Sequence, residues 1–160
     1  MPKAVLPLIH IIGPRDRGAY PGVTVVNTTS HAVGAWNYLL SPFALGPVPL
    51  YDGRSSQTME NAWQYAKVYA QHVASNGAIA SAYWDWAQSG WNNPKAVRYP
   101  MGKGAKPEFL LWGDARLGYI EARQQVYFRL YRDAVLRTEA WQRLRALAAG
   151  QALALWDFDG

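Results

Sequence analysis

Hydrophobic and polar positions follow different periods along the chain. Up to Gly53, the apolar or β-branched runs Ala4–Ile12 and Val23–Thr29 are separated by Gly13-Pro14, Pro21-Gly22, Gly46-Pro47 and Asp52-Gly53. This is the pattern of short strands joined by turns. From Met59 the period changes. Met59, Ala62, Trp63, Ala66, Ala70 and Val73 recur at helical spacing and predict a helix over Met59–Val73. Thr58 is its N-cap, Glu60 sits in the first turn, and Asn76-Gly77 follows its end. A second helix is predicted over Ala78–Gln88, stopped by Gly90, then a loop from Asn92 to Pro107. In the C-terminal third, Ile120, Tyr127, Leu130, Tyr131 and Ala134 mark a helix over Leu117–Leu136. Thr138 caps another over Glu139–Ala149, closed by Gly150, and Leu153–Trp156 reads as a short last strand. No repeat or linker interrupts the 160 residues. The expected fold is α+β: one mainly helical domain, 1–160, with a small N-terminal β-sheet.

Composition narrows the chemistry. With no cysteine, a disulfide scaffold, a thiolate zinc site, an iron–sulfur cluster and a cysteine nucleophile are excluded. Three scattered histidines, His10, His31 and His72, argue against a histidine metal site, so neither metal nor cofactor is expected. The run Ala4–Ile12 is too short to span a bilayer. The expectation is a cytoplasmic protein with no membrane partner. Eight tryptophans and ten tyrosines accompany a net charge of +5. A basic, aromatic-rich domain suits a phosphate-bearing aromatic ligand, a nucleotide or nucleic acid. The plainer reading puts the tryptophans in the core and the arginines on solvated helix faces.

On a helical wheel, Glu60, Gln64 and Lys67 lie together at one edge of the apolar stripe, with Trp63 at its border. In a cleft they would converge on one ligand: Trp63 to stack, Lys67 to hold a phosphate, Glu60 to face hydroxyls or a developing cation. On a solvated flank, Glu60 would serve only as a first-turn charge. The segment 95–106 carries Lys95, Arg98, Lys103 and Lys106 without an acid. Gly102-Lys103-Gly104 allows close backbone approach to a phosphate, though a solvated basic loop fits equally. Tyr83-Trp84-Asp85-Trp86 with Trp91 forms a dense aromatic knot, either core or a stacking platform. The arginines from Arg123 to Arg145 are dispersed rather than aligned on one face. Asp157 and Asp159, two residues apart, form a pair suited to acid–base work or to a charged terminus.

The order of these motifs resembles the NADAR family of N-glycosidases, which includes the YbiA-like proteins. The resemblance runs through Leu40-Ser41-Pro42-Phe43, Tyr51-Asp52-Gly53 and Thr58-Met59-Glu60-Asn61-Ala62-Trp63-Gln64-Tyr65-Ala66-Lys67. It continues through the loop Lys95–Gly104, then Trp112 and Arg116, the C-terminal helices and the terminal acids. Asn61 stands where the family usually has histidine, and the family's closing Trp-Gly would lie beyond Gly160, so a divergent, C-terminally trimmed member is expected. The resemblance implies a YbiA-like fold. It also implies hydrolysis of the N-ribosidic bond of a phosphorylated or ADP-ribosylated nucleotide or nucleobase substrate. Glu60, Asp157 and Asp159 would be catalytic; Trp63, Gln64, Lys67, Arg98, Lys103, Trp112 and Arg116 would bind substrate. The competing expectation is a nucleic-acid-binding or nucleic-acid-modification accessory protein that uses the same surface without catalysis.

Overall fold

The two N-terminal β-branched runs become strands, β1 (Ile9–Ile12) and β2 (Thr24–Asn27), followed by short 3-10 helices at Ser30–Ala32 and Trp36–Leu40. Next come β3 (Val48–Pro49), β4 (Ser55–Ser56), α1 (Met59–Gln64), β5 (Lys67–Val68) and α2 (Ser81–Asn92). A hairpin, β6 (Phe109–Trp112) and β7 (Ala115–Leu117), leads into α3 (Tyr119–Ala122). A π turn, Arg123–Tyr127, joins α3 to α4 (Phe128–Val135), and the chain closes with α5 (Glu139–Gly150) and β8 (Leu153–Trp156). The structure, a computed structural model, describes residues 8–16 and 18–158; Asp159 and the start of the Ala4–Ile12 run lie outside them.

The described residues group into two compact units, one made of the chain up to Ser41 together with the chain from Val135, the other of Pro42–Ala134. In the first, β8 lies between β1 and β2 and runs parallel to both, with Ile9 and Thr24 both level with Leu153. The central strand is the covered one: Leu153 and Ala154 are fully buried, while the edge strands expose Ile9, Ile11 and Val25. Thr138 caps α5 as its sequence predicts, its hydroxyl accepting from Trp141 N at 3.1 Å. Arg143 of α5 lies over the Trp36 ring at 4.9 Å.

In the second unit, β3 and β4 pair across the turn Tyr51-Asp52-Gly53-Arg54. Asp52 and Gly53 both have positive φ, the geometry that an Asp-Gly hairpin turn requires. A three-stranded antiparallel sheet follows in the order β5-β6-β7. Two apolar clusters pack around it: Tyr65, Val68, Tyr83, Ala87, Trp91 and Leu111 in one, and Trp63, Ala66, Leu110, Ala122 and Val126 in the other. Of the aromatic knot, Tyr83 and Trp91 are fully buried core, while Trp84 and Trp86 are half-buried against it and Asp85 is exposed. Tyr83 donates its hydroxyl to Tyr65 O at 3.0 Å.

These elements overturn the mainly helical fold with one N-terminal sheet. About 39 % of the residues are helical and 18 % extended, and the strands form three separate small sheets, so the fold is mixed α/β. Three local readings change with it. The helix predicted to reach Val73 stops at Gln64, because Ala66–Val68 pairs with the β6 strand: Leu111 N donates to Ala66 O and Glu108 N to Val68 O, both at 2.8 Å. Gly90 does not end α2 but lies inside it. A Cβ there would sit 2.1 Å from the Tyr65 ring, so the glycine permits a close helix-to-ring approach. The N-terminal strands do not form a sheet of their own; the last strand of the chain inserts between them.

Candidate functional site

Main-chain groups fix the first turn of α1. Met59 N donates to Leu45 O at 2.7 Å and Glu60 N to Pro42 O at 2.9 Å. Thr58 Oγ1 accepts from Asn61 N at 3.1 Å. Donors that a helix start leaves open are thus satisfied, and the Pro42 segment sets the position of Glu60. Asn61 is fully buried and ties down the start of the cationic loop. Its Nδ2 donates to Asn93 O at 3.1 Å and Lys95 O at 2.9 Å, and its Oδ1 accepts from Val97 N at 2.8 Å.

From this anchored turn a chain of polar side chains runs outward. Gln64 Nε2 donates to Glu60 Oε1 at 2.9 Å, and Lys67 Nζ donates to Gln64 Oε1 at 2.8 Å. Glu60 and Gln64 are buried and Lys67 is half-buried. The Lys67 ammonium also lies over the Trp63 ring, 5.5 Å from its centre. Burial lowers the Lys67 pKa below the ordinary lysine value, and the Glu60 carboxylate partly opposes that shift. Lys67 stands on β5, not on the helix that its spacing predicts, and still reaches Gln64 because the chain bends after α1.

Trp63 and Lys67 line a cleft with about 350 Å³ of empty space, part of it open to solvent. Glu108, Phe109 and Tyr119 complete the portion relevant to a ligand. Glu60 and Gln64 do not line the cleft; they are joined to its lining through the Gln64–Lys67 hydrogen bond. The arrangement offers an aromatic wall, one desolvated cation and a buried carboxylate linked to that cation by an amide. Such groups are already oriented and need little reorganisation when charge develops nearby.

The other expected site residues fall elsewhere. Arg98 is exposed, its guanidinium 5.1 Å from the Phe43 ring centre. Lys103 is exposed in the loop. Trp112 is half-buried, packed against the Trp63 cluster, and meets Tyr51 edge-on at 4.9 Å. Arg116 donates to Gly77 O at 2.7 Å and covers the Phe109 ring at 4.7 Å, holding the hairpin to a turn. Asp157 is exposed in the other unit, where its carboxylate accepts from Phe158 N at 2.8 Å; Asp159 lies outside the described residues. Glu108, Phe109 and Tyr119 were missed. Their only sequence signal is an aromatic at each of two element starts, and nothing local says that β6 folds back beside α1. Among the described residues, no group of three or more His, Asp or Glu side chains could hold a metal ion, and no helix is long and apolar enough to cross a membrane.

The molecule is thus a mixed α/β protein with a carboxylate–amide–lysine array beside an aromatic cleft. The chain belongs to a family of unknown function, DUF6939, which matches residues 16–160. No curated protein and no solved structure matches it.

Proposed function

We propose that the protein is an N-glycosidase, related to the NADAR and YbiA-like enzymes, acting on a phosphorylated or ADP-ribosylated nucleoside. The observation that supports this most is the hydrogen-bonded array from buried Glu60 and Gln64 to half-buried Lys67 at the Trp63 cleft. In such a reaction the bond from ribose C1′ to the base nitrogen breaks, the nitrogen leaves with the bonding pair, and water supplies oxygen to C1′ and a proton to the leaving group. The sugar passes through an oxocarbenium-like state. A carboxylate held in a poorly solvated place stabilises that positive charge more than it stabilises the neutral ground state. Glu60 has this role, Gln64 orients it, and Lys67 meets a phosphate. Arg98 and Lys103 supply further attraction for phosphates from the exposed loop, and the proposed setting is cytoplasmic.

The test is chromatographic detection of free base from N-ribosyl phosphates and from ADP-ribosylated nucleosides, with Glu60→Gln beside the unaltered protein. Release by the unaltered protein and its loss in the variant is the expected result. DNA or RNA binding that falls steeply with salt, is unaffected by Glu60→Gln and comes with no base release would transfer the conclusion to a non-catalytic nucleic-acid-binding role.

A further inference from the structure

Tyr119 opens α3 and is 62 % exposed, yet its ring is held on two sides. It meets Trp63 edge-on with ring centres 6.2 Å apart. Arg123 donates to its hydroxyl at 3.3 Å, with the guanidinium 5.8 Å from the ring centre. Arg123 is in turn seated against Tyr127 at 5.1 Å and Phe128 at 5.5 Å. It begins the π turn Arg123–Tyr127 that interrupts the helix. Such turns cost regular hydrogen bonding and concentrate at functional sites. The result is an open aromatic face, fixed in orientation, at the rim of a cleft that also presents the Lys67 ammonium. Its chemical complement is a planar ring joined to an anionic group.

We propose that Tyr119 is a stacking platform for the planar nitrogenous base of a nucleotide, with Arg123 as its positioning residue and Lys67 meeting the nucleotide's phosphate. This rests on the reading of the cleft as a nucleotide site, and not on hydrolysis. A fixed ring loses little freedom when a base settles on it, so stacking there adds directly to affinity.

Calorimetric titration separates the parts of the ligand, using adenosine 5′-monophosphate and ribose 5-phosphate as probes. The unaltered protein is expected to bind the base-bearing probe more tightly. Tyr119→Ala should weaken adenosine monophosphate roughly tenfold and leave ribose 5-phosphate within about twofold. Tyr119→Phe keeps the ring and should retain most of the affinity. Arg123→Gln should weaken only the base-bearing probe, by less than Tyr119→Ala. Equal loss for both probes in Tyr119→Ala, no loss for either, or no adenosine monophosphate binding by the unaltered protein overturns the platform. Binding with the expected pattern but no base release from any N-ribosyl substrate overturns the hydrolase alone.

Discussion

Glu60 and Lys103 are charged side chains with opposite surroundings. The first stands in a helical turn whose N–H groups are satisfied by Pro42 and Leu45, and it accepts a hydrogen bond from Gln64. The second is exposed in a loop whose start is tied through Asn61. Water and salt screen an exposed charge, whereas a buried, hydrogen-bonded one acts at low effective dielectric and is already in place. The anchored array should therefore govern chemistry, and the loop should govern attraction and encounter.

The largest expected effect sharpens that division. Glu60→Gln keeps shape and removes charge, so kcat for base release should fall on the order of 10²–10³ while substrate affinity stays close to the original. A fall in affinity with unchanged kcat would make Glu60 a binding group and erase the distinction.

Asn61 is where the two regions join. Asn61→Ala removes three part-buried side-chain hydrogen bonds to 93–97. It leaves carbonyls of Asn93 and Lys95 short of a donor. A loss of about 2–4 kcal/mol in denaturant unfolding is expected, with faster amide exchange at Val97. An unchanged midpoint would mean that the loop is held by other contacts.

The pH dependence of the array has a definite sign. Burial lowers the folded-state pKa of Lys67 below the unfolded value of 10.5, so the charged ammonium costs stability below the folded pKa. That cost is relieved as pH rises from the folded pKa to 10.5. The stability difference between Lys67→Met and the unaltered protein should shift in favour of the unaltered protein across that alkaline window. A difference that stays flat would place Lys67 in water, like Lys103.

The smallest expected effect comes from the loop. Charge reversal at Arg98 and Lys103 together should weaken nucleotide binding by about threefold to tenfold at low salt, and the difference should vanish near 1 M salt. For reversal at Lys103 alone, stability should change by less than about 0.5 kcal/mol. A large loss that persists at high salt would show that the loop closes directly on the ligand.

Local chemistry made several parts legible from the residues alone. Thr58 and Thr138 cap helices because a side-chain oxygen at that position meets an N–H left open by the helix itself. Asp52-Gly53 makes its turn for an equally local reason, and α5, which takes in Gly150 rather than stopping before it, and β8 fall where their periods place them. The neighbourhood of Glu60, Trp63, Gln64 and Lys67 was legible too, although the helix does not continue to Lys67 as its spacing implies. What ends α1 is the β6 strand, more than forty residues away in the chain, which takes the backbone groups of 66–68 into a sheet. A 3.6-residue period records which side chains are apolar, not which distant backbone arrives to compete for hydrogen bonds. The same limit hid the parallel insertion of β8, the ring packed against Gly90, and Tyr119 at the cleft. Helix ends and tight turns depend on residues a few positions apart, so the amino-acid sequence determines them directly. Sheet partners and clefts depend on surfaces that exist only after distant segments have packed, and the tertiary structure decided those.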